Sequence, residues 1–164
     1  MKKSDIQTQA LIMCGISGSG KTEYARKLEE QGFLRISTDA LIWEKTGGQL
    51  SSLSKEEQKR IFRESREDVR KQLIFHLESG EKVVLDATHC KRKARDEIRE
   101  ICSGFGIKPV FIYCYADKDE LWRRLSQRKG TGPDDLIVTE ENLNDYWLGF
   151  ERPEEDEADF IFID

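Results

Sequence analysis

The chain has 164 residues and a formal net charge of −5, with 36% charged and 37% hydrophobic residues. This balance excludes a disordered chain, and no apolar run approaches the roughly 20 residues of a membrane-spanning helix. We therefore predict one domain over residues 1–164 without a membrane segment, whose net charge argues against broad adhesion to long nucleic acid.

Short apolar runs alternate with helical patterns along the chain. The runs typical of buried strands are residues 10–14, 33–37, 82–86, 110–115 and 160–163. The helical patterns lie at about 22–30, 39–45, 54–79, 91–103, 117–128 and 139–150. Such alternation implies right-handed crossovers and a parallel sheet. We predict a three-layer α/β/α domain with a five-stranded, mainly parallel sheet.

Residues 15–22 read Gly-Ile-Ser-Gly-Ser-Gly-Lys-Thr and join the first strand to the first helix, as a phosphate-binding loop (Walker A) requires. Glycines let several backbone N–H groups point at one phosphate chain, and the helix presents its positive end to the same anion. Lys21 would reach the β and γ phosphates, and the Thr22 hydroxyl would ligate Mg²⁺. The predicted nucleotide ligands in the loop are Gly15, Ser17, Gly18, Ser19, Gly20, Lys21 and Thr22. The motif predicts a P-loop NTPase that binds a nucleoside triphosphate, which we take to be ATP, with Mg²⁺.

Two aspartates follow predicted strands, at the sheet edge where ligands bind in such folds. Asp39 would orient a substrate hydroxyl and accept its proton, or it would cap the next helix, and its position fits both roles. Asp86 ends the third strand and would hold Mg²⁺ directly or through water.

A basic segment begins the fourth predicted helix. It contains Lys91, Arg92, Lys93 and Arg95. Cations are unfavourable at a helix N-terminus, so the cluster indicates either an anionic ligand or solvated surface charge.

Arg124 and Arg128 share one face at the end of the fifth predicted helix, before a Gly-rich loop. Basic residues also suit a helix C-terminus for structural reasons alone. The functional interpretation is a lid around residues 123–138, whose arginines would neutralise charge on the transferring phosphoryl group.

The four cysteines are Cys14, Cys90, Cys102 and Cys114. They form no C-x-x-C pair, and with only two histidines in the chain a zinc site is not expected. Reduced cysteines of this kind predict a cytoplasmic protein.

Together, these motifs resemble the polynucleotide kinase-like branch of the P-loop kinases, over residues 11 to about 150. The matching positions are the phosphate loop, Ser37-Thr38-Asp39, Asp86-Ala87-Thr88, Arg92 with Arg95, and Arg124-x-x-x-Arg128. The resemblance implies an ATP-dependent kinase in which Lys21, Asp39 and Arg128 are catalytic. It also implies that Lys21, Thr22 and Arg128 bind the triphosphate, with Arg124 beside them. On the acceptor side the resemblance implies Asp39, Asp86 and Thr88, with Arg92 and Arg95 of the matching motif, and we add Trp43 and His89 as predicted substrate-binding residues.

Two departures from the family pattern bear on the acceptor. His89 stands where the family often has Asn, and it would bind substrate or cap the turn. Ile42 stands where polynucleotide kinases carry a basic residue that meets the substrate phosphate, and the adjacent Trp43 would stack on substrate or lie in the core.

We therefore predict transfer of the γ-phosphoryl group of ATP to a hydroxyl of a small molecule or of the 5′ end of a short nucleic acid. The absent basic residue favours a small acceptor, whereas the cluster at 91–95 would suit a phosphate backbone. The alternative is a nucleotide-dependent switch protein without a dedicated acceptor, which would need the loop and Asp86 but not Asp39.

Overall fold

The computed structural model describes residues 7–157 and 159–163, so the ends of the predicted domain, residues 1–6 and 164, lie outside the described residues. The strands are β1 (Ala10–Cys14), β2 (Leu34–Ser37), β3 (Val83–Asp86), β4 (Val110–Cys114) and β5 (Phe160–Ile163). The helices are α1 (Lys21–Glu29), α2 (Thr38–Thr46), α3 (Lys55–Glu78), α4 (Arg92–Gly104), α5 (Lys118–Leu125) and α6 (Glu140–Gly149). Two short 3₁₀ helices lie at Leu50–Ser52 and Pro133–Asp135.

The five strands form one parallel sheet in the order β2-β3-β1-β4-β5, which confirms the predicted fold class. Helices cover both faces: Leu73 of α3 and Ile98 of α4 pack on one, and Ala25 and Leu28 of α1 pack on the other. Because β1 lies between β3 and β4, the chain winds away from it in both directions. The crevice at the carboxyl end of β1 is therefore the expected ligand site.

The predicted helix starts at Ser54, Asp117 and Thr139 are confirmed, since each side chain accepts a hydrogen bond from the backbone N–H three residues later. The fifth helix is shorter than predicted and ends at Leu125. None of the described helices combines the length and the apolar character that crossing a bilayer requires. All four cysteines are free thiols.

Arg95 of α4 is fully buried and forms an ion pair with Glu157. Its Nε and Nη2 donate to the carboxylate of Glu157 at 2.8 and 3.0 Å. Its Nη1 donates to the backbone carbonyls of His89 and Glu151 at 3.0 and 2.9 Å. All three guanidinium nitrogens of Arg95 thus donate to Glu151 or Glu157, which links the segment before β5 to α4.

Arg92 serves the same segment from the start of α4. Its two Nη atoms donate to the carboxylate of Asp156 at 2.9 and 3.0 Å, and its Nε contacts Asp96 at 3.3 Å. The basic cluster is thus explained in part by acidic residues far along the chain, a third possibility beside the two considered from the sequence.

We expect Arg95→Ala to lower the free energy of unfolding by roughly 3–5 kcal/mol, because it leaves the Glu157 carboxylate buried without its cation. Denaturant titration followed by circular dichroism measures this change. Arg63→Ala is the matched control: Arg63 is exposed and makes no ion pair with the described residues, so a change within about 0.5 kcal/mol is expected. Equal values for the two variants would contradict the structural role of Arg95.

Candidate active site

The phosphate loop leaves β1 and enters α1 through glycines in conformations that side chains disfavour. Gly15 has φ +148°, and a Cβ there would lie 2.4 Å from the carbonyl oxygen of Cys114. Gly20 has φ +99° and precedes the first turn of α1. The Gly15 N–H donates to the Thr88 carbonyl at 3.0 Å, which fixes the loop against the end of β3. The loop therefore depends on glycine for its shape, as the motif predicts.

A cavity of about 250 Å³ lies above this loop. The predicted site residues that line it are Ser17, Gly18, Gly20, Lys21, Thr22, Asp39, Asp86, Thr88, Arg124 and Arg128. They come from α1, α2, the end of β3, and α5 with the loop after it. The structure thus brings both predicted aspartates and both predicted lid arginines to the phosphate loop.

Gly15 and Ser19 belong to the phosphate loop but do not line the cavity. Ser19 is buried, and its Oγ makes no hydrogen bond among the described residues.

Lys21 is buried as well, and its Nζ donates to the Ile16 carbonyl at 2.9 Å. Burial lowers the pKa of this ammonium, while Asp86 and Asp39 act to raise it. The Lys21 charge is therefore held inside the crevice by two carboxylates.

The Asp86 carboxylate is the most heavily engaged acceptor in the site. Its Oδ2 accepts from the Thr22 hydroxyl at 2.9 Å and from Nε and Nη2 of Arg35 at 3.0 and 2.7 Å. Its Oδ1 has no hydrogen bond to the described residues. Adjacent hydroxyl and carboxylate oxygens suit Mg²⁺, which takes its other ligands from phosphates and water. Thr22 and Asp86 therefore fit a Mg²⁺ ion that is also bound by phosphates. A metal site made of three or more acidic, Cys or His side chains does not occur in the described part of the chain.

Arg35 is a site residue that the sequence reasoning missed. Its side chain is 11% exposed and also donates to Oδ1 of Asp134 at 2.7 Å. Arg26 of α1 binds the other oxygen of Asp134. Burial acts to raise the pKa of the Asp134 carboxyl, but the two arginines hold it below its usual value. An arginine inside the apolar run Leu34-Arg35-Ile36 was the signal that could have revealed it.

Asp39 lies in the first turn of α2, but it does not cap that helix. Ser37 does so, because its Oγ accepts from the Ala40 N–H at 3.2 Å. The capping alternative for Asp39 is therefore wrong. The Asp39 carboxylate makes no hydrogen bond or ion pair with the described residues. Burial raises the pKa of this carboxyl; Lys21 partly offsets the effect and Asp86 reinforces it.

Arg124 of α5 and Arg128 of the loop after it both line the cavity. The Arg124 Nη1 donates to the Gly18 carbonyl at 2.9 Å, and its Nε pairs with Glu120 at 2.8 Å. The Arg128 Nη1 donates to the Leu136 carbonyl at 3.2 Å. One arginine thus contacts the phosphate loop, and the other contacts the segment that closes the cavity on the opposite side.

Four residues predicted to bind substrate do not line this cavity: Trp43, His89, Arg92 and Arg95. Trp43 packs against Gly48, where a Cβ would lie 2.5 Å from the indole ring, and joins the cluster around Ile42. His89 is buried, with Nδ1 2.7 Å from the Met13 carbonyl, and burial lowers the pKa of its imidazole to about 4. The two arginines are engaged by Asp156 and Glu157. None of the four therefore lines the cavity above the phosphate loop, although His89 lines a second groove, between α3 and α4; their substrate roles stay predictions.

The far wall of the cavity is apolar, which the sequence reasoning also missed. Its members are Ile42, Leu50, Phe62, Leu136, Val138 and Tyr146. Phe62 and Tyr146 meet edge to face, with ring centroids 6.4 Å apart. Because these residues come from α2, α3, α6 and two loops, local sequence patterns do not reveal that they meet.

The model of a family described as AAA domain (AAA_33) matches residues 11–153. The chain belongs to this family. No curated protein sequence matches it. The predicted resemblance to P-loop kinases is confirmed at the level of family and fold.

Several solved structures share the fold of this AAA domain. A gluconokinase from Sinorhizobium meliloti 1021 is 23% identical with a TM-score of 0.66, covering 94% of this chain and 81% of that chain. Kti12 from Chaetomium thermophilum, in complex with ADP-AlF3, is 15% identical with a TM-score of 0.68, covering 94% and 88%. Shikimate kinase from Acinetobacter baumannii, in complex with shikimate, is 18% identical with a TM-score of 0.60, covering 99% and 86%. At these identities the likeness establishes a P-loop kinase fold.

We expect Asp134→Asn to loosen residues 130–136, because it weakens charged hydrogen bonds to Arg26 and Arg35. A loss of ~1.5 kcal/mol corresponds to roughly tenfold faster amide exchange by local opening. Hydrogen exchange with mass spectrometry measures this rate. Asp145→Asn, which alters an exposed contact with Lys55, should leave the same amides unchanged. Unaltered exchange in Asp134→Asn would refute the idea that Asp134 fastens this loop.

Proposed function

We propose that this AAA domain transfers the γ-phosphoryl group of ATP to a hydroxyl acceptor. The observation that carries the proposal is the Asp39 carboxylate, which lies in the same cavity as Lys21 and has no partner among the described residues. Asp39 is half-buried, and a carboxylate removed from part of its water without a partner is costly, so it is expected where it acts. A nucleotide switch would have no use for it. The fold shared with a gluconokinase and a shikimate kinase supports the same class of reaction.

The donor half of the proposed site surrounds the phosphate loop. The loop N–H groups and Lys21 would bind the β and γ phosphates, and Arg124 and Arg128 would approach from α5. Thr22 and Asp86 would hold Mg²⁺, which neutralises phosphate charge when it is bound. Lys21 would exchange the Ile16 carbonyl for a phosphate oxygen, a stronger acceptor for an ammonium.

In the proposed reaction, Asp39 orients the acceptor hydroxyl and takes its proton as the oxygen attacks the γ phosphorus. A new oxygen–phosphorus bond forms, the bond between the γ phosphorus and the β–γ bridging oxygen breaks, and ADP leaves. Arg128 and Lys21 offset the negative charge on the transferring group. We include residues 123–138 in the proposal as a lid of this single domain, fastened through Asp134.

We expect Asp39→Asn to slow phosphoryl transfer by roughly 10²–10⁴-fold, because it removes the proton acceptor. ATP binding should persist, since the phosphate loop is intact. The measurement is transfer of labelled γ-phosphate into 5′-hydroxyl RNA and DNA, nucleosides, sugars and antibiotics, with ATP binding measured separately by calorimetry.

Asp119→Asn is the matched control, because Asp119 is exposed on α5 and lies outside the cavity. It should transfer at the unmodified rate. If Asp39→Asn also transferred at that rate with ATP binding preserved, the mechanism would be wrong. ATP hydrolysis that no acceptor stimulates and that survives Asp39→Asn would instead assign the nucleotide switch.

The pH dependence of transfer offers a separate test. Only the deprotonated Asp39 accepts a proton, and its carboxyl pKa is raised by burial. As pH falls through this raised pKa, kcat/KM should decline, with a midpoint above the value of about 4 that is usual for aspartate. The measurement is kcat/KM against pH, with circular dichroism at each point to exclude unfolding. A profile that stays flat to pH values where ordinary carboxyls protonate would contradict the assignment.

A further inference from the structure

Three cations among the described residues line the cavity, and the proposed reaction uses all of them for the triphosphate and the transferring phosphoryl group. They are Lys21, Arg124 and Arg128. The first belongs to the phosphate loop, and Arg124 contacts Gly18 of that loop. ATP carries several negative charges, so these three side chains are already matched by the donor. An anionic group on the acceptor would therefore need further cations.

The half of the cavity around Asp39 supplies no cation among the described residues beyond Arg128, whose Nη1 donates to the Leu136 carbonyl and which the proposed reaction already assigns to the transferring group. Ile42, Leu50, Leu136 and Val138 are buried apolar side chains, and the rings of Phe62 and Tyr146 complete the wall. Ile42, Leu50 and Leu136 form one packed cluster with Ile61, which makes the wall a built surface. A carboxylate or phosphate placed here would lose water and would have to share Arg128 with the transferring phosphoryl group.

Neighbouring arginines are committed elsewhere. Arg35 is held by Asp86 and Asp134, and Arg95 is held by Glu157. Turning either toward the cavity would leave a buried carboxylate unpaired, which is strongly unfavourable. The charge pattern of the acceptor half is therefore fixed by the fold: one carboxylate, Asp39, and Arg128 against an apolar wall.

The wall also offers a neutral polar group. The Tyr146 hydroxyl makes no hydrogen bond with the described residues, although the side chain lines the cavity. Burial and the nearby Asp39 raise the pKa of Tyr146 to about 12, so the phenol is uncharged at neutral pH. It can donate to an uncharged acceptor atom and stack edge-on with a ring.

We propose that the acceptor is an uncharged alcohol of about one ring, with an apolar face that packs on Phe62 and Tyr146. This inference rests on the proposed function of the same site. The cavity of about 250 Å³ must also admit the transferring phosphoryl group, and it falls below the roughly 300–1,000 Å³ of sites for drug-sized ligands. In this arrangement Asp39 would accept a hydrogen bond from the reacting hydroxyl, and the Tyr146 hydroxyl would hydrogen-bond a second, neutral polar atom of the acceptor.

The rival is an acceptor with phosphates in the groove between α3 and α4, which adjoins the cavity at Thr38 and Ala87. The exposed arginines 63, 66 and 70 of α3 line this groove. Lys91 and Lys93 line it as well, together with Glu67, Glu97 and Glu151, so it is a mixed surface and not a purely cationic one. We favour the apolar cavity over this groove, because Asp39 and the phosphate loop line the cavity and not the groove.

Equilibrium binding separates the two without depending on turnover. Calorimetry with the full chain, Mg²⁺ and a non-hydrolysable ATP analogue would compare matched alcohols that differ only in charge. Suitable pairs are 4-(hydroxymethyl)benzamide against 4-(hydroxymethyl)benzoate, and the cyclohexane analogues of the same two compounds. We expect the neutral member of each pair to bind at least about tenfold more tightly, since the charged member is desolvated without a cation of its own.

Two variants test the wall itself. Ile42→Arg, which adds a cation beside Asp39, should weaken binding of the neutral alcohols and narrow or reverse the preference within each pair. Phe62→Ala should weaken the ring-bearing neutral alcohols by about tenfold and leave affinity for the ATP analogue unchanged. Arg66→Gln is the control: it alters the α3–α4 groove and should leave the neutral alcohols unaffected.

Tighter binding of the anionic members, lost in Arg63→Gln/Arg66→Gln/Arg70→Gln, would overturn the inference in favour of a phosphate-bearing acceptor. Failure of every neutral alcohol to bind would overturn it as well. The proposed function fails differently: neutral alcohols would bind as expected while no labelled phosphate is transferred to any of them.

Discussion

One guanidinium, that of Arg35, joins the parts of the site on which the rest depends. It holds the Asp86 carboxylate at the end of β3 and the Asp134 carboxylate of the loop beyond α5. Asp86 in turn accepts from Thr22, at the start of α1. Without this cation, Asp86, Asp134 and Asp39 would repel one another in a crevice with little water. Arg35 thus allows the Asp86 carboxylate, the phosphate loop and the segment around Asp134 to lie close together.

Arginines are also paired with carboxylates between α4 and the segment before β5. Arg95 and Glu157 are both buried and satisfy each other, while Arg99 donates to Glu157 and Asp159. These pairs fasten the segment before β5 across the sheet to α4. A chain with more acids than bases can place arginines in its interior because each finds a carboxylate there. Because these arginines are paired with carboxylates, the cations that line the cavity are Lys21, Arg124 and Arg128.

The features that could be predicted from the sequence are those set by neighbours along the chain. The phosphate loop, the alternation of strands and helices, and the helix starts at Ser54, Asp117 and Thr139 all have local causes. The contacts of Arg95 with Glu157 and of Arg35 with Asp134 join residues 62 and 99 positions apart, so no local pattern could specify them. Ile42 and Trp43 are both apolar and adjacent. Which of them faces the cavity is decided by α3 and the loop at 136–138, which pack on α2 only in the folded chain.

The apolar wall and the Asp39 carboxylate lie in the same cavity, and each bears on how the other would act in the proposed reaction. In the proposed reaction, a carboxylate that takes a proton from an alcohol works best with a raised pKa, and burial raises the pKa of the Asp39 carboxyl. The apolar wall in the same cavity would also keep water from the γ phosphate of bound ATP, so that hydrolysis would compete less with transfer to an alcohol. A polar or cationic wall would stabilise the ionised carboxylate, lower its pKa and admit water. An apolar residue at position 42 therefore bears on both the proposed acceptor and the proposed base, because a cation there that would bind an acceptor phosphate would also weaken Asp39 as a proton acceptor.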